Sequence, residues 1–209
     1  MRYLQELLIS TLFITTFLFG QTHPFFSEYA EGTSHNKYLE IYNSSDTNVD
    51  LSAYSISTCN NGCDAAGEFD YPDNVTFATG TVLAAGDVYV VCHGSASDEI
   101  SAECDQTFTY LSNGDDFQAL TLAGATASAY TVVDQIGDWG DDPGDGWDVA
   151  GVTDGTKDHT LVRKSTIISG NTDWSASAGT STDNSEWIVL DQDTWDYLGS
   201  HPHSITILP

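Results

Sequence analysis

Residues 24 to 54 read PFFSEYAEGTSHNKYLEIYNSSDTNVDLSAY. Two short runs with alternating character flank a polar loop. In the first, Phe26, Glu28 and Ala30 alternate with Phe25, Ser27 and Tyr29; in the second, Tyr38, Glu40 and Tyr42 alternate with Leu39 and Ile41. Successive side chains of a strand point to opposite faces, so the stretch predicts a strand, a loop, a second strand with one face buried, and a turn. If the two strands pair antiparallel, Glu28 and Glu40 fall on the same face. Two carboxylates that close need a cation, a proton or a hydrogen-bond donor beside them.

Beyond this stretch, β-branched or aromatic runs recur at Asp87 to Cys92, Thr131 to Ile136 and Glu186 to Leu190, each set between Gly, Asn, Asp or Ser turns. Beyond the N-terminus no run of roughly 10 to 15 residues has helical spacing, which favours an all-β sandwich over an α/β fold. One short helix or helical turn is expected in a connecting loop around Ser95 to Glu103, where serines can cap and acids follow at the positive helix end. With 209 residues, 40 % of them hydrophobic, the chain can build one sizeable core, and one domain is the default. Leu39, Ile41, Val90, Leu120, Ile136 and Leu161 are the expected core. There is no internal repeat.

The order of short motifs resembles a lamin-tail domain of the secreted microbial type. Ser27-Glu28-Tyr29, Glu31-Gly32, Glu40-Ile41-Tyr42-Asn43 and Asp50-Leu51-Ser52 with Tyr54 match the family's opening strand, loop, strand and turn. Leu83 to Val91, Asn113 to Phe117 with Leu120-Thr121-Leu122, Val133 to Gly137, His159 to Lys164, Trp187 and Leu198 to His201 continue the series in order. The resemblance implies an immunoglobulin-like β-sandwich and an accessory module that brings no agreed catalytic site, sometimes joined to nuclease or phosphatase domains.

Residues 1–20 are expected to be a signal peptide: Arg2 precedes a largely apolar stretch from Leu7 to Phe19, too short to cross a bilayer as a helix. A retained anchor is the alternative. The sandwich domain is then assigned to 21–201 and a short C-terminal tail to 202–209. In an oxidising compartment the four cysteines read as disulfides, Cys59 with Cys63 and Cys92 with Cys104, because each pair brackets a turn or loop. The rival is zinc held by Cys59, Cys63, Cys92 and His93, which lacks the paired CxxC knuckles of zinc sites.

Thirty-one Asp and Glu stand against 5 Lys and Arg, a formal net charge of −26. Beyond the signal the basic residues are Lys37, Lys157, Arg163 and Lys164, too few to neutralise a phosphate backbone, so nucleic acid is excluded as a partner. The acidic surface reads either as solubility in an ion-rich medium or as divalent-cation binding, with calcium the extracellular candidate. Two constellations offer carboxylates. Asp138, Asp141, Asp142, Asp145 and Asp148 crowd a Gly-rich loop that fails the EF-hand pattern, since Pro143 and Val152 fall at ligand positions. Glu28, Glu31, Glu40, Asp115, Asp116 and Asp134 lie in the family-like segments, and ordinary strand-edge pairing with Lys37 competes with metal there.

No HExxH, GxSxG or GxxxxGK[ST] motif is present, so the chain is read as no enzyme. Trp139, Trp147 and Trp174, in loop-like segments, are the candidates for stacking on sugars, against the alternative of packing under long loops. Trp187 reads as core. Asn43-Ser44-Ser45 and Asn74-Val75-Thr76 are glycosylation sequons. The expected role is a secreted, non-catalytic module for adhesion, binding or extracellular structure, facing an extracellular protein or glycan surface. The alternatives are a calcium-dependent glycan-binding module and an accessory component of a secreted nuclease or other hydrolase.

Overall fold

The computed structural model describes residues 22–140 and 142–201. The expected signal segment 1–20 and the expected tail 202–209 lie outside the described residues. In chain order the elements are β1 (Phe25–Glu31), β2 (Lys37–Tyr42), β3 (Val49–Asp50), β4 (Tyr54–Cys59), β5 (Tyr71–Thr76), β6 (Val82–Leu83) and β7 (Val88–Cys92), followed by helix α1 (Asp98–Ala102). Then come β8 (Gln106–Thr107), β9 (Phe117–Leu122), β10 (Val132–Ile136), β11 (His159–Arg163), helix α2 (Trp174–Ala178) and β12 (Trp187–Asp191).

Two sheets face each other as an immunoglobulin-like sandwich. One has six strands in the order β12-β11-β1-β2-β7-β8, the other four in the order β10-β9-β4-β5, and β3 pairs with β6 beside them. All pairings are antiparallel except β7 with β8. Phe26, Leu39, Ile41, Val91 and Leu161 from the larger sheet meet Ile56, Leu120 and Ile136 from the smaller one in a single apolar cluster. Burying side chains of this size stabilises by about 1.5–3 kcal/mol each.

Val90 departs from the expected core. Within β7, Val91 faces the sandwich and Val90 the opposite side, where it joins Ala30, Tyr38, Cys92 and Ile100. That outer face is covered as well: Ile100 of α1, Trp195 and Leu198 lie on it, so β1 is buried along its whole length rather than on one face. A bulge between Phe26 and Glu28 changes the phase of β1, which lets Phe26 and Tyr29 both reach the sandwich core while Ala30 turns outward. β1 and β2 are therefore interior strands of the larger sheet, and the reading of Glu28 and Glu40 as strand-edge charges gives way.

The helix expected near Ser95 is α1, capped by the Ser97 hydroxyl on the Ile100 amide with Asp98 and Glu99 in its first turn. A second short helix, α2, appears where no helix was expected; Asp173 caps it through the Ala176 amide, and Trp174, Ser177 and Ala178 are buried. One turn of helix is too short to show a hydrophobic period. Cys59–Cys63 and Cys92–Cys104 are disulfides, with Cα separations of 4.9 and 5.7 Å, so the thiolates a zinc site would need are already spent.

Arg163, at the end of β11, joins the two layers. Its side chain is fully buried; Nη2 donates to Asp134 Oδ2 at 2.6 Å, Nη1 to Glu186 Oε2 at 2.6 Å and to Ser177 Oγ at 3.0 Å, and Nε to the Phe26 carbonyl at 3.1 Å. The guanidinium lies 4.0 Å from the ring centroid of Trp187. Asp134, on β10 of the other sheet, also accepts from the amides of Phe26 and Asn171, both at 2.8 Å. Removing one partner of such a pair leaves a buried charge uncompensated. Arg163→Met is expected to lower unfolding free energy by about 3–5 kcal/mol in urea denaturation; a loss below about 1 kcal/mol, the range of exposed pairs, would show that the cluster contributes little.

Candidate functional site

The carboxylates singled out in the family-like segments are placed by the strands that carry them. Glu28 and Glu40 sit directly opposite each other in the β1–β2 register, both fully buried on the outer face of the larger sheet. Tyr38 donates to Glu28 Oε2 at 2.7 Å; Ser27 Oγ donates to Glu40 Oε1 at 2.6 Å and the Gly199 amide to Glu40 Oε2 at 2.7 Å. The C-terminal segment thus closes over the pair, and His201 packs edge-on against Phe25 and Tyr42. Burial pushes the Glu28 carboxyl up to about 8, opposed by the Tyr38 hydrogen bond. Of the three remedies for two facing carboxyls, hydrogen-bond donors thus stand beside both, and burial favours a proton on Glu28 as well.

The remaining members of that group stand apart from the pair. Glu31 pairs with Lys37 at 2.7 Å and accepts from the Asp158 amide at 2.7 Å. Asp116 takes the Asn61 amide at 3.0 Å and the Asn113 amide at 3.3 Å, holding the loop before β9. Asp134 belongs to the Arg163 cluster.

The acidic loop folds against the base of the sandwich. Gly137 (φ 85°) makes room for the Trp147 ring: a Cβ there would lie 2.8 Å from it. Thr156 then pins the loop, accepting from the Trp147 amide at 2.8 Å and donating to the Gly114 carbonyl at 2.6 Å. Asp145 pairs with Lys157 at 2.7 Å on the surface. Asp138, Asp142 and Asp148 each accept a nearby backbone amide, from Trp139, Gly144 and Asp154. Asp141 lies outside the described residues. Asp115 is drawn into the same neighbourhood: its carboxyl is held above the usual carboxylate range by burial and by the charges of Asp142 and Asp145, with Lys157 opposing, and its Oδ1 is buried with no hydrogen-bond partner among the described residues. Among those residues no group of three or more His, Cys, Asp or Glu is arranged to hold a metal ion.

The three candidate tryptophans are largely packed against the fold, although Trp147 and Trp174 also line a surface cleft of about 470 Å³ with Pro143, Asp148 and Asp154. Trp174 is core, with 4 % of its surface exposed. Trp139 sits among Phe69, Phe117 and Tyr130, with ring centroids 4.6, 4.7 and 5.3 Å away. Trp147 covers Gly137. Trp187 is fully buried and donates from Nε1 to Ser177 Oγ at 2.9 Å. Asn43 is buried too, and its Nδ2 donates to the carbonyls of Thr47, Leu83 and Ala84 at 2.8, 3.2 and 3.0 Å; an amide so engaged is closed to a glycan in the folded chain. His93, the imidazole of the alternative zinc set, accepts from the Ser95 amide at 3.0 Å and stacks on His35.

More exposed aromatic rings lie elsewhere. Tyr71 on β5 and Tyr110, in the connection from β8 to β9, are 49 % and 75 % exposed and line one cleft of about 370 Å³ together with Asn60 and Asn74. Sequence reading missed this cleft because the four residues come from three separate segments. The sequence signals available were Tyr71-Pro72-Asp73-Asn74, a Pro-containing run typical of an edge strand, and an Asn inside the Cys59–Cys63 loop.

The raised Glu28 carboxyl fixes a pH dependence. Between the ordinary carboxylate range and about 8, the folded chain holds a proton that the unfolded chain has released, so stability is greatest below the unfolded value and declines as pH rises through the folded one. The slope approaches about 1.4 kcal/mol per pH unit for one such proton. Glu28→Gln, which keeps the shape and removes the titration, should flatten the unfolding free energy between about pH 5 and 8. An equally steep decline in the variant would place its origin elsewhere.

A sequence model of the lamin tail domain matches residues 20–141. No curated protein and no solved structure matches the chain. The match spans β1 to β10, including the facing Glu28 and Glu40, the pinned Asn43 and the Asp134 half of the interlayer cluster. On this match and the immunoglobulin-like sandwich it accompanies, the chain belongs to the lamin tail domain family.

Proposed function

We propose that the chain is a secreted, non-catalytic lamin-tail module serving adhesion, binding or extracellular structure. One observation carries the reading: the polar residues of the family-like motifs are turned inward and hold the framework. Glu28, Glu40, Asn43, Asp116, Asp134 and Arg163 are buried, and their hydrogen bonds go to strands, turns and each other. A catalytic acid or base needs to reach a substrate proton within hydrogen-bond distance, and these groups are enclosed. The two disulfides suit an oxidising compartment, and the apolar stretch at residues 7–19 suits export. Each basic residue beyond the signal is committed: Lys37 to Glu31, Lys157 to Asp145, Arg163 to Asp134 and Glu186, and Lys164 to the Thr182 carbonyl. That commitment supports a partner other than nucleic acid. The family resemblance also accommodates an accessory role beside a secreted nuclease or other hydrolase on a separate chain.

Expression in a secreting host should release protein whose N-terminus maps near residue 21, without glycosidase, phosphatase or nuclease activity. Activity that survives repurification and vanishes with a single carboxylate change would overturn the non-catalytic reading.

A calcium-dependent mode, for which the described residues form no complete ligand group, is favoured by Asp115, whose buried Oδ1 has no hydrogen-bond partner among the described residues while Asp142 and Asp145 repel its charge. A hard divalent cation would answer both demands. Calcium at constant ionic strength should then raise the melting temperature, by about 2.7 kcal/mol of stabilisation at a hundred times the dissociation constant, and Asp115→Asn with Asp142→Asn should abolish the gain. A melting temperature indifferent to calcium leaves the acids as a solubility device.

A further inference from the structure

We propose that the cleft between Tyr71, Tyr110, Asn60 and Asn74 is a binding site for a neutral saccharide. This deepens the reading of the chain as a binding module, and it places sugar recognition on two tyrosines that are more exposed than the candidate tryptophans.

The cleft is built rather than incidental. β5 is the edge strand of the smaller sheet, and between the pairs Ile56↔Val75 and Thr58↔Tyr71 a single β4 residue, Ser57, faces Pro72, Asp73 and Asn74. A bulge of this kind re-aims the side chains around it. It is pinned at each point: Asp73 takes a left-handed φ of 49°, its amide donates to Ser57 Oγ at 3.0 Å, and its carboxylate accepts from Ser55 Oγ and the amides of Gly124 and Ala125. Asn74 Nδ2 donates to Thr58 Oγ1 at 2.8 Å, fixing that amide at the cleft wall. Asn60 sits inside the loop closed by Cys59–Cys63. The segment carrying Tyr110 is tied to the same edge, where Gln106 Nε2 donates to the Thr76 carbonyl at 3.1 Å and the Phe108 ring lies 6.0 Å from that of Tyr110. Groups held in place before a ligand arrives cost little ordering when it binds.

The chemistry of the walls selects the ligand class. At about 370 Å³ the cleft falls within the range of small-molecule sites. Two tyrosine rings offer faces for the C–H side of a pyranose, and two amides offer paired donors and acceptors for its hydroxyls. An apolar ligand would leave the amides unpaired. An anionic sugar would meet a chain of net charge −26 with no Lys, Arg or His among the described residues of the cleft wall.

The test uses the mature chain, residues 21–209, on an array of cello-, xylo-, manno-, laminari- and chito-oligosaccharides, with polygalacturonate and heparin as anionic controls. The expected result is retention of at least one neutral oligosaccharide and of neither anionic polymer. In calorimetry against that oligosaccharide, Tyr110→Ala and Tyr71→Ala should each weaken binding about tenfold, as loss of one stacking partner implies. Ile168→Ala, at an exposed apolar residue outside the cleft, should leave it unchanged, and circular dichroism confirms that each variant is folded. No neutral oligosaccharide retained at millimolar concentration overturns the inference, as does retention of an anionic polymer alone. Saccharide binding that survives both tyrosine changes overturns the cleft while leaving the binding-module reading in place, and that reading falls separately if the chain proves to be a hydrolase.

Discussion

Arg163 is the residue on which the two layers depend. A sandwich of two sheets is held mainly by non-directional apolar burial, which fixes how close the layers come but not how one is turned on the other. The guanidinium adds direction. It takes the Phe26 carbonyl and Asp134 takes the Phe26 amide, where β1 has not yet begun its ladder with β11, which starts at Glu28. Two backbone groups that the strand pattern leaves unpaired are thus satisfied by one ion pair that bridges the sheets. Glu186, Ser177 and the Trp187 ring complete the shell, which ties α2 and β12 to the same point.

The same logic runs through the other family-like motifs. Asn43 bonds three carbonyls across the Ser44–Thr47 turn and the Leu83–Ala84 segment. Asp50 caps the short 3₁₀ turn from Leu51 to Ala53 through the Ser52 amide and hydroxyl. Asp116 organises the loop before β9. These polar groups recur in order along the chain because each ends or turns a strand at a defined place, and in an all-β fold those places set the register. A motif series of this kind specifies architecture, and the ligand is decided on the surface that the motifs leave open.

The sandwich was legible because alternation and turn residues are local signals, and because Tyr38 to Tyr42 carries its period plainly. The neighbouring-pair disulfides followed from spacing. What stayed hidden depends on longer range. The outer cover over Glu28 and Glu40 is made by residues 195 to 201, over 150 positions away, so burial of both faces of β1 could not be read from β1. The one-residue phase change at Ser27 likewise leaves no mark in the hydrophobic pattern. Val90 and Val91 are indistinguishable as letters, and only the register of β7 against β2 decides which one faces the core. The Gly/Asp-rich flanks of Trp139 and Trp147 look wholly solvent-facing as sequence, and only the folded loop shows that Gly137 admits the Trp147 ring.

Charge and function meet in the same accounting. A net charge of −26 opposes compaction by self-repulsion, and of the four basic side chains beyond residue 20 three are held in ion pairs and Lys164 on a carbonyl. The two disulfides counter that repulsion by restricting the unfolded chain, and one of them also fixes the loop that carries Asn60. Long-range attraction is then unavailable to draw in an anionic partner, and at a Debye length of roughly 8 Å repulsion is felt only close to the surface. An uncharged partner would be held by short-range contacts that charge does not govern, such as ring faces and neutral amides. On this molecule those groups converge where a pinned edge-strand bulge and a disulfide loop bring Tyr71, Asn74 and Asn60 beside Tyr110.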